Sequence, residues 1–392
     1  MALLHQVRES LMTLRNVFKL RARLGPVPEQ LTEKAIIPGI PKARLWFDRD
    51  LTSFIEAVLQ DSQRELTTLG GYLEPLPPLC VLAISGGGEN GAFAAGVLCG
   101  LTASGKRHDF KVVTGISAGA LIAPFAFLGS QYDDILRTVV TSAGPNEIFR
   151  RRNVLMGLVK DGMASSEPLA KIVETYITPE ILAQIAQEYA KGRVLQIGTT
   201  DIDTGRQVIW NMGEIASSNS PNALKLFRKV IIASTSIPGV VSPVMIDVEV
   251  NGKRYQEMHV DGGVVNQVFL YPSTFMKELE SITGKPFARE THMFVIRNGK
   301  FWPSWSETKK NTLSIGGRAI RALIQAQGIN DVRHLYQIAQ QDHIDFNLAY
   351  IGEKHSQEFD QTYMRKLYEY GYQFAAMGQQ WYKEPPKEVR GR

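Results

Sequence analysis

Cysteine is scarce, with Cys80 and Cys99 the two copies in 392 residues. That rules out a disulfide scaffold and a four-thiolate zinc site, and the chain has neither C-x-x-C nor H-E-x-x-H. A D-x-[DN]-x-[DN]-G calcium loop is also missing. Long apolar runs are lacking too. The most apolar stretch, Val112 to Leu128, falls short of the roughly 20 residues a membrane span needs. Arg8, Arg15, Lys19, Arg21 and Arg23 interrupt the N-terminal segment, so no secretory apolar core forms there. Charge of one sign is in little excess, 44 basic against 39 acidic residues, and a net +5 gives no basic field for nucleic acid. Repeats and low-complexity tracts are absent. What remains reads as a globular protein with reduced cysteines, expected to be cytoplasmic, with no cofactor, metal or nucleic-acid partner.

Proline divides the chain. Pro26, Pro28, Pro38 and Pro41, then Pro75, Pro77 and Pro78, punctuate residues 1–78, where a regular element would lose donors and helical φ/ψ. Within that segment a helix is expected over 51–66. A second, over 3–20, would align Leu4, Val7, Leu11, Leu14 and Phe18 in one stripe with Arg8, Arg15 and Lys19 on its flank. Such a stripe suits either an anionic lipid interface or packing on another protein surface.

From Leu79 the pattern alternates strand and helix. Leu79 to Ile84 is a continuous apolar run, as in a strand buried on both faces. A glycine turn, Gly86 to Gly91, leads into a small-residue helix, Ala92 to Leu101. Phe110 to Thr114 is a second strand and Ala118 to Leu128 a second helix. Further strands are expected at 193–200, 206–210, 255–260, 292–296 and 344–351, with helices over most of 135–190, at 224–233 and in the C-terminal third. This predicts an α/β fold with a mostly parallel central sheet flanked by helices. A catalytic domain over 79–275 would carry helical extensions, 1–78 and 276–392. The stripe Tyr363, Leu367, Tyr370, Phe374, Met377 and Trp381 on the last helix predicts core packing.

Two motifs fall at strand ends. Gly115-Ile116-Ser117-Ala118-Gly119 is G-x-S-x-G between a strand and a helix, the arrangement that exposes a nucleophilic serine on a sharp turn. One crossover earlier, Gly86, Gly87 and Gly88 end the preceding strand. Adjacent parallel strands open their loops on the same sheet edge, so these N–H groups are expected beside Ser117, where an oxyanion would need donors. The Ala118 N–H would be a further donor. Gly86 to Gly91 also spells G-x-G-x-x-G, the dinucleotide fingerprint, but the second strand ends in Thr114 and Gly115 instead of the acid that would hold a ribose. Asp109 lies at that strand's wrong end.

None of the seven histidines sits in a glycine-flanked loop. The downstream candidate base is Asp261, followed by Gly262 and Gly263 at the end of a strand. A carboxylate there can take the Ser117 proton directly, provided burial or hydrogen bonding tunes it. His259 reads as a structural strand histidine, and Asp203-Thr204-Gly205 as a hairpin turn.

Gly86 to Gly91, Gly115 to Gly119 and Asp261 to Gly263, in this order, resemble the patatin-like phospholipase family, over about Leu79 to Pro272. The resemblance implies a Ser117–Asp261 dyad without a catalytic histidine. Gly198 to Gly205 and Ala233 to Pro238 look familial as well. The family loop commonly reads D-G-G-G-x-R-G; here Ser85 replaces the acid and Asn90 the arginine, so any support from Asn90 would be a neutral hydrogen bond. The implied activity is ester hydrolysis on lipids at a membrane surface through an acyl-enzyme. The alternatives are a silent binding or scaffold protein of this fold and, less favoured, a dinucleotide-dependent oxidoreductase.

Overall fold

A computed structural model describes residues 24–71, 76–141, 150–151, 164–303, 305–352, 361–378 and 381–387. The amphipathic stripe expected over 3–20 lies outside them. The first half runs β1 (Arg44–Trp46), α1 (Leu51–Thr68), β2 (Leu79–Ile84), α2 (Gly91–Ala103), β3 (Val112–Gly115), α3 (Ala118–Leu128) and α4 (Asp133–Thr141). A two-residue pair, β4 (Arg150–Arg151) with β5 (Ala164–Ser165), precedes α5 (Glu167–Tyr176) and α6 (Pro179–Ala190). Then come β6 (Val194–Asp201), β7 (Arg206–Asn211), α7 (Met212–Ser217), α8 (Ala223–Ser234), β8 (Val244–Val250) and β9 (Lys253–Asp261). The chain continues through α9 (Phe275–Thr283), β10 (Thr291–Arg297), α10 (Thr312–Gln341), β11 (Asp345–Tyr350) and α11 (Gln361–Ala376).

Nine strands form one sheet in the order β1-β7-β6-β3-β2-β10-β11, with β9 joining β6 and β8 joining β9. The centre is parallel: β6 with β3, β3 with β2, β2 with β10, β10 with β11. The β6–β7 and β8–β9 hairpins and β1 add antiparallel pairs at one side. The boundaries expected at 79 and 275 do not divide this sheet, because β1 and the β10–β11 pair belong to it.

β2 shows why its sequence is apolar throughout. Leu82 and Ile84 enter the core cluster shared with α2, α3, α8 and α11, while Val81 and Ala83 enter the cluster under α1, α9 and α10. No face is left for a polar residue. Two glycines of α2 serve its contact with another helix. A Cβ on Gly96 would lie 2.0 Å from the Tyr368 carbonyl oxygen, and one on Gly100 would lie 2.3 Å from that of Tyr372. Glycine there lets α11 touch α2 backbone to backbone. The stripe on α11 is core at Leu367 and Phe374, but Met377 lies past the helix end and is exposed. Among the described residues, no helix is long and apolar enough to cross a membrane.

Candidate active site

Register brings the two motifs together. β6 pairs through its first half with β3, Gly115 opposite Ile197, and through its last residues with β9, Thr199 opposite Asp261. The ends of β3 and β9 therefore meet over one short stretch of β6. Ser117 follows Gly115 by two residues, and its Oγ donates to Asp261 Oδ2 at 2.7 Å across 144 residues of sequence.

The turn at Ser117 is sharp. Its φ of 54° and ψ of −122° are unusual for a residue with a Cβ and cost on the order of 1–3 kcal/mol, which the surroundings must supply. Part of that support is Ser234: its Oγ accepts from the Ser117 N–H at 2.9 Å and donates to the Gly198 carbonyl at 2.7 Å. The spacing of G-x-S-x-G also has a packing reason. A Cβ on Gly119 would sit 2.3 Å from the Ile84 carbonyl oxygen, so the start of α3 rests directly on the end of β2.

Asp261 is buried, and its Oδ1 accepts from the Gly263 N–H at 2.8 Å. Its own N–H donates to the Ser236 carbonyl at 2.9 Å. Burial pushes the carboxyl up to about 6, against the hydrogen bonds from Ser117 and Gly263 that favour the charged form. A carboxylate so placed is a stronger base than one in water.

The glycine loop needs one correction. The Gly86 N–H donates to the Gln267 carbonyl at 2.9 Å, so it is not available as an oxyanion donor. The N–H groups of Gly87, Gly88 and Ala118 make no hydrogen bond to a described residue. Gly86 still lies against the nucleophile: a Cβ there would be 3.2 Å from the Ser117 Cβ. Gly91 sits over Ala118 in the same way, at 2.9 Å. Asn90 does not stand loose at the loop's end, because its Oδ1 accepts from the Tyr363 hydroxyl at 3.0 Å. His259 is fully buried, with Thr199 Oγ1 at 2.9 Å and Glu257 Oε2 at 3.1 Å occupying its ring nitrogens. Asp203, Thr204 and Gly205 form the β6–β7 turn, with Thr204 Oγ1 donating to Asp201 Oδ2 at 2.9 Å.

Four supporting residues were not singled out from sequence as site residues. Ser234, already described, lies in the familial stretch 233–238. Gln267 ties the loop to the Asp-Gly-Gly turn: its carbonyl holds Gly86 and its Nε2 donates to the Gly263 carbonyl at 2.8 Å. Gln267 is itself fixed by Asp331, whose Oδ2 accepts its N–H at 2.6 Å. Asn298 and Tyr363 reach the loop from beyond β9.

A family model described as patatin-like phospholipase matches residues 82–272. Over this stretch the chain is similar to patatin-like phospholipases. The matched stretch begins inside β2 and ends after the Asp261 turn, enclosing both motifs. No curated protein sequence matches the chain. Among solved structures, VipD from Legionella pneumophila aligns at 10% identity over 76% of this chain and 66% of its own, with a TM-score of 0.37. The type III effector ExoU aligns at 12% over 77% and 53%, TM-score 0.30. The human GIVD cytosolic phospholipase A2 aligns at 11% over 71% and 51%, TM-score 0.29. The chain spans between about half and two thirds of the length of these structures.

Proposed function

We propose that the protein is a serine acyl hydrolase that cleaves carboxylic esters of lipids. The observation that carries this reading is the 2.7 Å hydrogen bond from Ser117 Oγ to a buried carboxylate, Asp261. Ser117 Oγ attacks the ester carbonyl carbon while its proton passes to Asp261 Oδ2. The tetrahedral oxyanion collapses, the C–O bond to the alcohol breaks, and Asp261 returns the proton to the leaving alkoxide. Water then attacks the acyl-Ser117 ester, giving its proton to Asp261, and the acid leaves as Ser117 is restored. The Gly87, Gly88 and Ala118 N–H groups are the donors available to both oxyanions. The discriminating experiment is covalent labelling of the purified protein by a fluorophosphonate, combined with a panel of lipid esters varied in head group and acyl position. Absence of both labelling and turnover would favour a silent protein of this fold.

Two expected results follow from the geometry. Asp261 must be ionised to accept the proton, and its pKa stands near 6. Accordingly kcat/KM for a soluble short-chain ester should rise about tenfold per pH unit below 6 and level off above about 7. A profile flat from pH 4.5 to 8 would remove Asp261 from the base role.

Gly87 and Gly88 should respond unequally to alanine. A Cβ on Gly87 would stand 2.3 Å from the Asn298 carbonyl oxygen, so the loop must move, whereas Gly88 faces open space and has only its φ of 58° against it. Gly87→Ala should lower kcat by about 10²–10³, the usual cost of a lost oxyanion donor, and Gly88→Ala by about tenfold, in keeping with a backbone strain of 1–2 kcal/mol. Near-normal turnover by Gly87→Ala would place the oxyanion hole elsewhere.

A further inference from the structure

The loop that faces Ser117 has little means of holding its own shape. Gly86, Gly87 and Gly88 carry no side chains, yet donors for an oxyanion must be fixed before the charge develops. Two residues outside 82–272 grip the loop at its ends. Asn298, buried just past β10, donates its N–H to Ser85 Oγ at 2.8 Å and its side-chain amide to the Ser85 carbonyl at 2.9 Å. Its Oδ1 accepts from the Ala94 N–H at 3.2 Å, so one side chain joins the residue before the loop to the helix after it. Its carbonyl lies directly under Gly87, as the contact above shows. At the other end Tyr363 donates to Asn90. Tyr363 is on α11, which is locked against α2 by Gly96, Gly100 and, from its own side, Gly371, whose Cβ would meet the Phe93 carbonyl oxygen at 2.3 Å. A helix seated backbone to backbone cannot slide, so its hydroxyl is a fixed point. The two residues gripped, Ser85 and Asn90, are the two at which this loop departs from the common D-G-G-G-x-R-G pattern.

We propose that Asn298 and Tyr363 are positioning residues that hold the Gly86–Glu89 backbone in the geometry needed for oxyanion binding, so that the C-terminal region takes part in catalysis. The proposal rests on the serine-hydrolase reading. It predicts loss of transition-state binding with ground-state binding kept. The full-length chain is assayed on a soluble short-chain ester, with a trifluoromethyl ketone, which forms an oxyanion adduct on the nucleophile, as the transition-state probe. Tyr363→Phe should lower kcat about tenfold, leave KM within twofold, raise the ketone Ki about tenfold and hardly move Tm. Asn298→Ala should lower kcat about a hundredfold, with some loss of Tm from the unpaired Ser85 carbonyl. Asn298→Asp, which keeps the Ala94 acceptor but sets a carboxylate oxygen against the Ser85 carbonyl in place of the amide donor, should lower kcat at least as far as Asn298→Ala. The Tyr363→Phe/Asn90→Leu double variant should be no slower than Asn90→Leu alone, because both remove one bond. Tyr368→Phe, which leaves the loop contacts intact, serves as the control and should keep wild-type kcat. If Tyr363→Phe and Asn298→Ala lower Tm but leave kcat and the ketone Ki unchanged, the two residues only pack and the proposal is overturned. Turnover that survives Ser117→Ala would instead overturn the dyad and the loop role together.

Discussion

Ser117→Ala is expected to abolish ester turnover and fluorophosphonate labelling while leaving the fold in place. Alanine keeps the Cβ that the strained turn already accommodates and the N–H that Ser234 holds. It removes the one oxygen able to form the acyl-enzyme. In a well-studied protease, losing the nucleophile costs about 10⁶ in kcat, so residual activity should sink to background. The freed Asp261 Oδ2 would be buried without its donor, and the carboxyl should answer by holding its proton to still higher pH. Ser85, just after β2, is the first alternative nucleophile to consider, but its side chain is buried, donates to the Gly86 carbonyl at 2.7 Å and accepts from Asn298. Labelling of the Ser117→Ala protein at any site, read by mass spectrometry of the adduct, would end the case for this nucleophile.

Asp261→Asn should be nearly as damaging to turnover and should make the protein more stable. Loss of the base-side carboxylate costs about 10⁴ in kcat in other serine enzymes, and here no histidine stands between the two groups to retain part of the effect. The stability change follows from the same burial. The folded-state pKa, near 6, lies above the ordinary 3.8, so the folded protein holds this proton more tightly than the unfolded chain. The penalty is absent below about pH 4, grows as pH rises through 6, and is then full at about 3 kcal/mol. Asparagine carries no charge to bury, so the variant should melt several degrees above wild type at pH 8 and show a much smaller gain at pH 4. Melting curves at the two pH values, with kcat alongside, test both halves. A lower Tm at pH 8, or turnover within tenfold of wild type, would refute the assignment. His259→Gln should cost far less turnover, its ring being committed to Thr199 and Glu257.

The elements legible in the sequence are those with a local signature. The apolar run at Leu79 to Ile84 announces a strand buried twice over, and the glycine-to-small-residue switches mark both strand–helix turns at the site. β8 was missed although its signal is present. Ile246, Val248 and Val250 face inward while Asp247 is exposed, and the strand runs into Asn251 and Gly252, both at positive φ, the backbone that a two-residue hairpin turn demands. The three-residue β1 has no such pattern to read, because its place is set by pairing with β7. Within the candidate site, Ser117 and Asp261 were proposed from the sequence because each sits in a turn whose glycines are visible. Their supports were not, because a hydrogen bond from Asn298 to Ser85 spans 213 residues and one from Tyr363 to Asn90 spans 273. Neither partner has any distinguishing neighbour in sequence. Gly86 failed as a donor for a related reason: whether an N–H is free depends on where Gln267 folds back.

The position of β10 bears on how this protein can be divided. β10 pairs along the whole of β2, from Thr291 opposite Leu79 to Ile296 opposite Ile84. A fragment cut at the limits of the matched family, 82–272, would turn β2 into a bare sheet edge and strip away Asn298 and Tyr363 at one stroke. Such a recombinant cassette would expose apolar β2 to strand-to-strand aggregation. The same dependence sets an order of assembly during synthesis: Ser117 leaves the ribosome long before β10 and α11, so the grip of Asn298 on Ser85 and of Tyr363 on Asn90 is complete only after residue 363 has emerged.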